Sequence, residues 1–342
     1  MVTEVEAMRR AITLAATPEV PLWPNPRVGC VLLSKRGKVI AEGYHRGAGT
    51  PHAEADALNQ AGEKARGATA IVTLEPCNHT GRTGPCAQRL IDAGVSRVVY
   101  AQIDPNPIAS GGADTLRAAG IEVESGLLAE ESRAVNRVWS RATELQRPFV
   151  TWKFASTLDG RSAAADGTSK WISNTAARQD THARRAECDV IMVGTRTVID
   201  DDPALTVRDH DDRPRAVQPL RVIVGKRALP ADARVFADDD VLVWDSHDLA
   251  GLLEHLWRME KRHVFLEGGP TLAAAFAQAG LIDQIVAYVA PMLLGAGRSA
   301  VADLGISTLA EAFRPTVVDI ATIQAEGEEP CVRLILEPKG KN

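Results

Sequence analysis

The chain has 342 residues, 45% of them hydrophobic and 24% charged, and its formal net charge is −5. Domains hold about 100–200 residues, so this length predicts two domains, and the composition excludes a disordered or collagen-like chain. A mildly acidic chain has no diffuse positive field. This argues against a general nucleic-acid-binding protein but not against an enzyme for a small phosphorylated substrate.

The sequence predicts neither a membrane protein nor a disulfide-bonded one. No stretch reaches the roughly 18 apolar residues of a membrane-spanning helix, and residues 1–10 lack the apolar segment of a signal peptide. Five cysteines are an odd number and few for this length. They favour a cytoplasmic location, with thiols that are free or bound to a metal.

Strand-like and helix-like segments alternate along the first part of the chain. We predict helices over 3–16, 53–65, 85–93, 112–119 and 130–144, and strands over 28–34, 39–44, 70–74 and 97–101. Such alternation is typical of an α/β layered domain. The polar segment Gln146-Arg147-Pro148 then indicates a boundary between a domain of residues 1–147 and one of residues 148–342.

The second part of the chain repeats the alternation. We predict strands over 149–156, 190–194, 221–224, 241–244, 263–266, 284–289 and 331–336, and helices over 249–260 and 271–279. The charged run 209–215 is expected to be a surface loop. The chain is therefore expected to contain two α/β domains.

The strongest chemical signal is PHAE at 51–54, followed by EPC at 75–77 and PC at 85–86. One imidazole (His52) and two thiolates (Cys77, Cys86) suit a tetrahedral zinc whose fourth position holds water. Zinc lowers the pKa of that water towards about 7. Glu54 is then free to act as general acid and base, the arrangement typical of nucleobase deaminases.

The spacing of the two cysteines departs from the usual Cys-x-x-Cys, because eight residues separate them. The alternatives are a structural zinc site, with His79 as a fourth ligand, and two unrelated buried thiols. A catalytic site is favoured because Glu54 has no role in a structural site.

Two glycine-containing segments of the second part are candidates for binding a dinucleotide. Residues 295–300 fit Gly-x-Gly-x-x-Ala formally, but they lie late in the domain and lack the acidic residue expected further on, which argues against a Rossmann fold. The segment EGGPTL at 267–272 lies between a predicted strand and a predicted helix. It is either an anion site at the helix start or a plain strand–helix turn.

Further motifs give the chain a family resemblance over about residues 5–337. The segments NPRVGC (25–30), GYH (43–45), PHAE (51–54), EPCNHTGRTGPC (75–86) and DPNP (104–107) resemble bifunctional riboflavin-biosynthesis deaminase/reductases. The segments KFASTLDGR (153–161), SKWIS (169–173), TVIDDDPALTVR (197–208) and EGGPTLA (267–273) resemble their reductase half. The long cysteine spacing belongs to that family's pattern.

The resemblance implies a three-layer cytidine-deaminase-like domain followed by a dihydrofolate-reductase-like α/β domain. It implies zinc-dependent deamination of a ribosylamino-diaminopyrimidinone 5′-phosphate, followed by reduction of the ribosyl chain to ribityl by NADPH. The deaminase residues implied to bind substrate are Asn25, His45, Arg82, Asp104 and Asn106. Each also has a simpler structural explanation, such as a turn or a solvated charge.

The resemblance also implies which reductase residues bind ligands. The cofactor residues would be Ser156, Trp171, Thr197, Asp201, Gly268, Gly269, Pro270, Thr271, Leu272, Ala273 and Ala274. The substrate residues would be Ser169, Arg185, Leu205, Arg208 and Glu267, with the two arginines as a phosphate clamp. Lys153 and Asp159 lie in the matching strand and turn, where they would either order the site or take part in proton delivery; the simpler alternative for Asp159-Gly160 is a hairpin turn. Core packing of Trp171, capping by Asp201 and a surface ion pair of Arg185 with Glu187 or Asp189 are the alternatives.

The family suggests a homo-oligomer, either a dimer or a tetramer, and a small-molecule substrate with no nucleic-acid or membrane partner. Two alternative classes of protein would contain the same zinc motif. One is a nucleic-acid base deaminase with an accessory domain, which the negative charge and the 4% aromatic content disfavour. The other is a zinc-stabilised binding protein, which the intact Glu54 disfavours.

Overall fold

A five-stranded sheet organises the first part of the chain. The computed structural model describes residues 1–17, 23–80 and 84–339, and the chain divides into two compact units, Met1–Gln146 and Arg147–Asn342. The strands of the first unit are β1 (Gly29–Leu33), β2 (Val39–Tyr44), β3 (Thr69–Leu74), β4 (Arg97–Gln102) and β5 (Glu122–Ser125). Its helices are α1 (Glu4–Ala15), α2 (Ala53–Ala61), α3 (Cys86–Asp92), α4 (Gly112–Ala118), α5 (Ala129–Val135) and α6 (Arg137–Leu145).

The strand order of this sheet is β2-β1-β3-β4-β5. β1 is antiparallel to both of its neighbours, whereas β3, β4 and β5 are parallel. Because side chains alternate along a strand, each strand can bury both faces. On β1, Cys30 and Leu32 join a core that includes α2, α3 and α4, while Val31 and Leu33 join a second core with α1. The unit is thus a three-layer α/β/α sandwich.

An eight-stranded sheet organises the second unit, which also has a small two-stranded sheet. Its strands are β6 (Phe149–Thr157), β7 (Arg161–Ala163), β8 (Val190–Gly194), β9 (Leu220–Val224), β10 (Val241–Trp244), β11 (His263–Leu266), β12 (Gln284–Ala290), β13 (Arg298–Ser299), β14 (Thr316–Ile323) and β15 (Cys331–Glu337). Its helices are α7 (Thr175–Ala186), α8 (Thr195–Asp201), α9 (Leu249–Arg258) and α10 (Pro270–Gln278).

The large sheet has the order β10-β9-β8-β11-β6-β12-β15-β14. The first six strands are parallel, and β15 and β14 add an antiparallel hairpin at one edge. The carboxyl ends of the parallel strands therefore lie along one edge of the sheet, where ligands bind in open α/β sheets. Apolar side chains of α9 and α10 pack on one face of the sheet, and Val198 of α8 packs on the other.

The structure confirms the predicted α/β class of both parts, and it corrects the prediction of one helix over 130–144. That segment is two helices, α5 and α6, because Asn136 between them is bound to another part of the chain. Its side chain accepts the N–H of Arg27 at 2.8 Å and donates to the carbonyl of Arg27 at 2.7 Å. The predicted helix 53–65 is also shorter, since a 3₁₀ turn (Gly62–Ala65) follows α2.

Among the described residues, no helix combines the length and apolar character that a membrane crossing requires. All five cysteines are free thiols.

Candidate active sites

His52, Cys77 and Cys86 come from three different elements and meet at one point. His52 is the N-cap residue of α2, and Cys86 is the first residue of α3, after the N-cap Pro85. Cys77 lies in the loop after β3. The ligand atoms of the three residues all lie within 4.8 Å of one another, the only such His, Cys, Asp or Glu group in the described part of the chain.

The spacing of these donor atoms fits zinc. His52 Nδ1 lies 3.6 Å from Cys77 Sγ and 3.3 Å from Cys86 Sγ. Zinc–sulfur bonds of about 2.3 Å and zinc–nitrogen bonds of about 2.0 Å, set at the tetrahedral angle, place nitrogen and sulfur about 3.5 Å apart. The three donors can therefore occupy three corners of one tetrahedron. A pocket of about 230 Å³ opens beside His52 and Cys86.

The environment shifts the pKa values of the two thiols in opposite directions. Hydrogen bonds from Cys86 and His52 lower the pKa of the Cys77 thiol to about 4. The hydrogen bond with Cys77, together with burial, raises the pKa of Cys86, because a second thiolate beside the first is unfavourable. A dication between the two sulfurs removes that conflict by stabilising both thiolates.

Glu54 lies in the first turn of α2, and its side chain is buried at 3% exposure. Burial and the neighbouring Cys77 raise the pKa of Glu54 to about 7, although a hydrogen bond with the Cys86 thiol opposes the shift. Glu54 is thus a buried carboxyl next to the three donors but is not one of them. Such a group can hold a proton or release it near neutral pH.

His79, the alternative fourth ligand, does not join the group of donor atoms found among the described residues. Three protein donors leave a position open, which is the pattern of a catalytic zinc site rather than a structural one.

Asn25 and His45 form a hydrogen-bonded pair next to His52. His45 Nδ1 lies 3.1 Å from the carbonyl oxygen of Pro51, which can only accept, so Nδ1 carries the proton. His45 Nε2 therefore accepts from Asn25 Nδ2 at 2.9 Å. Burial lowers the pKa of His45, which keeps the ring neutral. The ring of His45 meets that of His52 edge-on at 5.3 Å.

Glu75 holds the loop that carries Asp104 and Asn106. Its carboxylate accepts N–H bonds from Gly111 at 3.1 Å and Ala113 at 3.2 Å, and from Asp104 at 3.4 Å. The role of Glu75 was not deduced from the sequence. Asp104 accepts the N–H of Asn106 at 2.8 Å, and burial raises the pKa of Asp104 to about 7. Arg82 lies outside the described residues.

A cavity of about 810 Å³ lies at the carboxyl ends of β8, β9 and β10 in the second unit. It is lined in part by Thr197, Gly269, Pro270, Thr271 and Leu272, all predicted cofactor residues. Gly268 has a φ of 104°, a conformation that favours glycine, so the turn from β11 into α10 depends on it. The N-terminus of α10 opens into this cavity and offers N–H groups to an anion.

The other predicted cofactor residues are not in the lining described for this cavity. Ala273 and Ala274 are buried in the next turn of α10, and Ser156 is buried on β6. Trp171 is 65% exposed and lies under the guanidinium of Arg178, with 4.6 Å between the guanidinium carbon and the ring centre. Trp171 is therefore not core packing. Asp201 is exposed at the end of α8.

Arg185 pairs with Glu267 rather than with Glu187 or Asp189 on the surface. Its guanidinium forms two bonds with the Glu267 carboxylate, one of them Nη2 to Oε2 at 2.9 Å, and a third with the carbonyl of Thr206 at 2.8 Å. Burial opposes ionisation of Glu267, but the charge of Arg185 lowers the pKa of Glu267 overall. Burial lowers the pKa of Lys153, which lies in the same cluster.

The predicted substrate residue Arg208 lies beside this cluster. Its guanidinium donates to the Thr206 hydroxyl at 3.2 Å and to the Asp212 carbonyl at 2.8 Å, and its backbone N–H donates to His182 Nδ1 at 3.2 Å. Burial and the charge of Arg185 lower the pKa of His182 to about 4. His182 was missed from the sequence because it carries no motif.

The remaining predicted substrate residues differ in exposure. The side chain of Leu205 is packed in the apolar cluster around α8, and its φ is 51°. Ser169 is half-buried in the loop before α7.

The string at 295–300 is not a Rossmann turn. Gly295 and Leu294 donate their N–H groups to the Asp159 carboxylate at 2.7 and 3.2 Å, and the short strand β13 follows instead of a helix. Asp159 thus ties the turn after β6 to this loop.

Known protein families match both units. Residues 1–102 match the cytidine and deoxycytidylate deaminase zinc-binding region, and residues 148–328 match the RibD C-terminal domain. A riboflavin biosynthesis protein RibD of Mycobacterium tuberculosis is 49% identical over 311 residues, 90% of this chain and 91% of that protein. The chain belongs to the RibD family of riboflavin biosynthesis proteins.

Other RibD proteins match over nearly their whole length. The RibD of Escherichia coli K12 is 39% identical over 363 residues, 96% of this chain and 98% of that protein. A structure of Acinetobacter baumannii RibD has a TM-score of 0.89 at 40% identity and covers 98% of this chain and 99% of its own. A Thermotoga maritima structure, named as a diaminohydroxyphosphoribosylaminopyrimidine deaminase/5-amino-6-(5-phosphoribosylamino)uracil reductase, has a TM-score of 0.83 at 32% identity, covering 98% and 99%.

As a member of the RibD family, the chain is a bifunctional enzyme of riboflavin biosynthesis, a zinc-dependent deaminase joined to an NADPH-dependent reductase. The predictions of the family, the fold class and both cofactors are confirmed.

Proposed function

We propose that residues 1–147 deaminate 2,5-diamino-6-ribosylamino-4(3H)-pyrimidinone 5′-phosphate and that residues 148–342 reduce the ribosyl chain of the product to ribityl. The observation that carries the first half is the group of His52, Cys77 and Cys86 donors with the buried carboxyl of Glu54 beside it. The name of the Thermotoga maritima relative supports the choice of substrate.

In the deaminase, His52, Cys77 and Cys86 hold zinc. Zinc, when bound, supplies a water activated for attack near neutral pH. The oxygen of the attacking water bonds to the ring carbon as the π bond between that carbon and the ring nitrogen breaks. Of the two protons of the water, one ends on the ring nitrogen, and Glu54 delivers the other to the departing 2-amino nitrogen, so that ammonia leaves and a carbonyl remains on the ring. Because Glu54 is in the first turn of the helix that His52 caps, α2 fixes the position of the proton carrier relative to the metal.

In this proposal, five residues bind the deaminase substrate: Asn25, His45, Arg82, Asp104 and Asn106. The carboxamide oxygen of Asn25 is left to accept from the ligand, because its N–H group is used by the neutral His45. Glu75 supports the loop of Asp104 and Asn106 through backbone bonds. Arg82 binds the phosphate, a guanidinium being well suited to phosphate oxygens.

In the reductase, the N-terminus of α10 binds the pyrophosphate of NADPH. Thr197 of α8 lines the same cavity, and the close approach of cofactor to backbone explains the paired glycines, Gly268 and Gly269. The remaining cofactor residues in this proposal are Ser156, Trp171, Asp201, Pro270, Thr271, Leu272, Ala273 and Ala274. NADPH supplies the hydride, and the protein orients the sugar and excludes water.

The reductase substrate residues proposed are Ser169, Arg185, Leu205, Arg208 and Glu267. Arg208 is the main phosphate ligand of the two arginines in this proposal, because most guanidinium donors of Arg185 already bind Glu267 and Thr206. Glu267 therefore acts first as the partner that holds Arg185 in place.

The proposed compartment is the cytoplasm, and the proposed assembly is a homo-oligomer, a dimer or a tetramer. Five free thiols are consistent with a reducing compartment. Edge strand β14 exposes Val318 and Ile320 at 51% and 65%, which favours burial against a second copy. Light scattering of the purified protein measures the assembly directly.

The test of the proposed deaminase is Glu54→Gln, which keeps the shape of the side chain but removes the carboxylate. We expect ammonia release from the diaminopyrimidinone nucleotide to fall by about 10²–10⁴-fold, because general acid–base catalysis contributes about that much. Zinc content, measured by atomic emission, should stay at the wild-type level, since Glu54 is not among the donors.

The matched control is Glu63→Gln, at an exposed glutamate in the turn after α2. This substitution should change neither the rate of ammonia release nor the zinc content. Near-normal ammonia release by Glu54→Gln contradicts the proposed role of Glu54. Loss of zinc from that variant contradicts the assignment of ligands.

A further inference from the structure

The cofactor cavity contains more positive charge than the pyrophosphate site requires. Four cationic residues line it: Arg196 of α8, Lys226 and Arg227 after β9, and Arg298 of β13. None of them belongs to the α10 N-terminus, where the pyrophosphate is placed. The cavity therefore offers a second place for an anion.

Two of these four cations share a single acidic partner, Asp200. Arg196 Nε lies 3.1 Å from Asp200 Oδ2, and Arg298 Nη2 lies 3.2 Å from the same oxygen. In contrast, Lys226 and Arg227 form no ion pair with any residue that the structure describes, although acidic side chains are frequent in this chain. The positive charges of Lys226 and Arg227 are therefore not compensated by an acidic side chain among the described residues, and an anionic ligand can bind to them.

The position of this pair along the sheet edge is also defined. The neighbouring parallel strands are β11, β8, β9 and β10, in that order, so their carboxyl ends form one row. The pyrophosphate site follows β11, and Lys226 follows β9, two strands away. Strands about 4.8 Å apart place these two sites about 10 Å from each other along the row.

The turn after β10 adds two polar groups to this end of the cavity. Ser246 and His247 both line it, and they follow the strand next to β9. The end of the cavity beyond the pyrophosphate site thus combines two cations, a hydroxyl and an imidazole, which is a set suited to a phosphomonoester.

We propose that Lys226 and Arg227, with Ser246 and His247, bind the 2′-phosphate on the adenosine ribose of NADPH. This assignment rests on the proposed cofactor site at α10. NADPH and NADH differ only in that phosphate, and the adenosine ribose is attached directly to the pyrophosphate. Lys226 and Arg227 therefore determine the preference of the reductase for NADPH over NADH.

The test measures binding to the full-length, zinc-loaded protein by isothermal titration calorimetry, with NADP⁺ and NAD⁺ as probes. We expect wild-type protein to bind NADP⁺ at least about tenfold more tightly than NAD⁺, and the double substitution K226Q/R227Q to abolish that difference. The affinity for NAD⁺ should change by less than about twofold. The preference should also weaken with added salt, because exposed charges are screened.

The matched control is R258Q, which removes one positive charge from the exposed C-terminal residue of α9, outside the cavity lining, and should keep the wild-type preference. Equal affinities of wild-type protein for both probes, or an unchanged preference in the double variant, overturn this proposal. Equal weakening of both probes in the double variant also overturns it and assigns the two cations to the pyrophosphate. Binding of neither probe to wild-type protein refutes the cofactor site itself.

Discussion

The charge balance of the buried cluster in the reductase depends on a single carboxylate, Glu267. It neutralises Arg185 through two hydrogen bonds, and Lys153 lies close enough for its charge to lower the pKa of Glu267. Both partners of the pair are largely shielded from water, with side-chain exposures of 14% and 10%. If Glu267 is removed in these buried surroundings, the charge of Arg185 is left with neither an ion-pair partner nor solvation by water.

We therefore expect Glu267→Gln to destabilise the reductase unit by about 3–5 kcal/mol. The measurement is the midpoint of thermal unfolding of the reductase unit. The transition of that unit is recognised because NADP⁺ raises its midpoint, since a ligand stabilises the unit that binds it. The control is Glu254→Gln, which breaks the exposed pair with Arg258 on α9 and should cost less than about 1 kcal/mol. Equal effects of the two substitutions would show that burial adds nothing to the Arg185–Glu267 pair.

Single residues also show what sequence patterns can and cannot supply. His52, Cys77 and Cys86 were predictable because zinc selects few residue types and their motifs are short. The partner of Arg185 was not predictable, since Glu267 lies 82 residues away and either Glu187 or Asp189 is nearer in sequence. The neutral form of His45 likewise depends on its contacts with Asn25 and Pro51.

At the scale of elements, the deaminase site depends on how closely α2 approaches β2. Gly43 makes that approach possible, because a Cβ there would lie 2.3 Å from the Ala53 carbonyl oxygen and 2.5 Å from the Ala57 nitrogen. The small alanines on the buried face of α2 serve the same contact. His52 and Glu54 move with this helix.

We expect Gly43→Ala to displace α2, lower zinc occupancy and reduce ammonia release at least about tenfold, since a misplacement of 1 Å can cost about 10²-fold. Reduction of pre-deaminated substrate should be unchanged. The control is Gly84→Ala, because a Cβ at Gly84 meets no atom of the described residues within 4 Å and φ is not in the left-handed region. Full zinc occupancy in Gly43→Ala would contradict the dependence of the site on this contact.

Asp189 links the starts of β8 and β11, because its carboxylate accepts the N–H groups of Arg262 at 2.7 Å and His263 at 3.0 Å. Burial raises the pKa of Asp189 from 3.8 to about 6. Between these values the folded chain holds more protons at this carboxyl than the unfolded chain does. The free energy of unfolding therefore decreases as pH rises from about 4 to about 6.

The expected contribution of Asp189 is about 3 kcal/mol, present below about pH 4 and lost above about pH 6. Asn cannot titrate, so the difference in unfolding free energy between wild type and Asp189→Asn should decrease by that amount across this range. Chemical denaturation at several pH values measures it, and the exposed Asp232→Asn serves as control. A difference that does not change with pH would contradict the raised pKa.

Elements with a strong apolar pattern were predicted well, and the others were not. The strands β2, β8, β10 and β11 have the predicted bounds. The helix α7 was missed because it buries only Ala177 and Thr181 and so lacks an apolar stripe. The strand β14 is an exception, because it was missed although its sequence, TVVDIATI, is rich in β-branched apolar residues; most of these are exposed in the fold.

At the scale of the whole molecule, each of the two units has hydrophobic cores of its own and supports its own chemistry. The strands and helices of each unit bury their apolar side chains within that unit. The metal donors all belong to Met1–Gln146, and the cofactor cavity belongs entirely to Arg147–Asn342. Loss of one site should therefore leave the other intact.

We expect a zinc chelator to stop ammonia release while NADPH oxidation on pre-deaminated substrate continues at its normal rate. Ammonia release and absorbance at 340 nm report the two reactions separately. Added zinc should restore the first reaction, which controls for direct inhibition by the chelator. Parallel loss of both activities would contradict the independence of the two units.

The end of β11 has a consequence for how the reductase handles its two ligands. Glu267, which holds the arginine of the proposed substrate site, is bonded directly to Gly268, the start of the turn that opens the cofactor cavity. A ligand that displaced the backbone of Glu267 would therefore also act on Gly268, because the two residues share a peptide bond. Thermodynamic reciprocity requires that any factor by which bound nucleotide changes the dissociation constant of the sugar phosphate equal the factor by which the sugar phosphate changes that of the nucleotide.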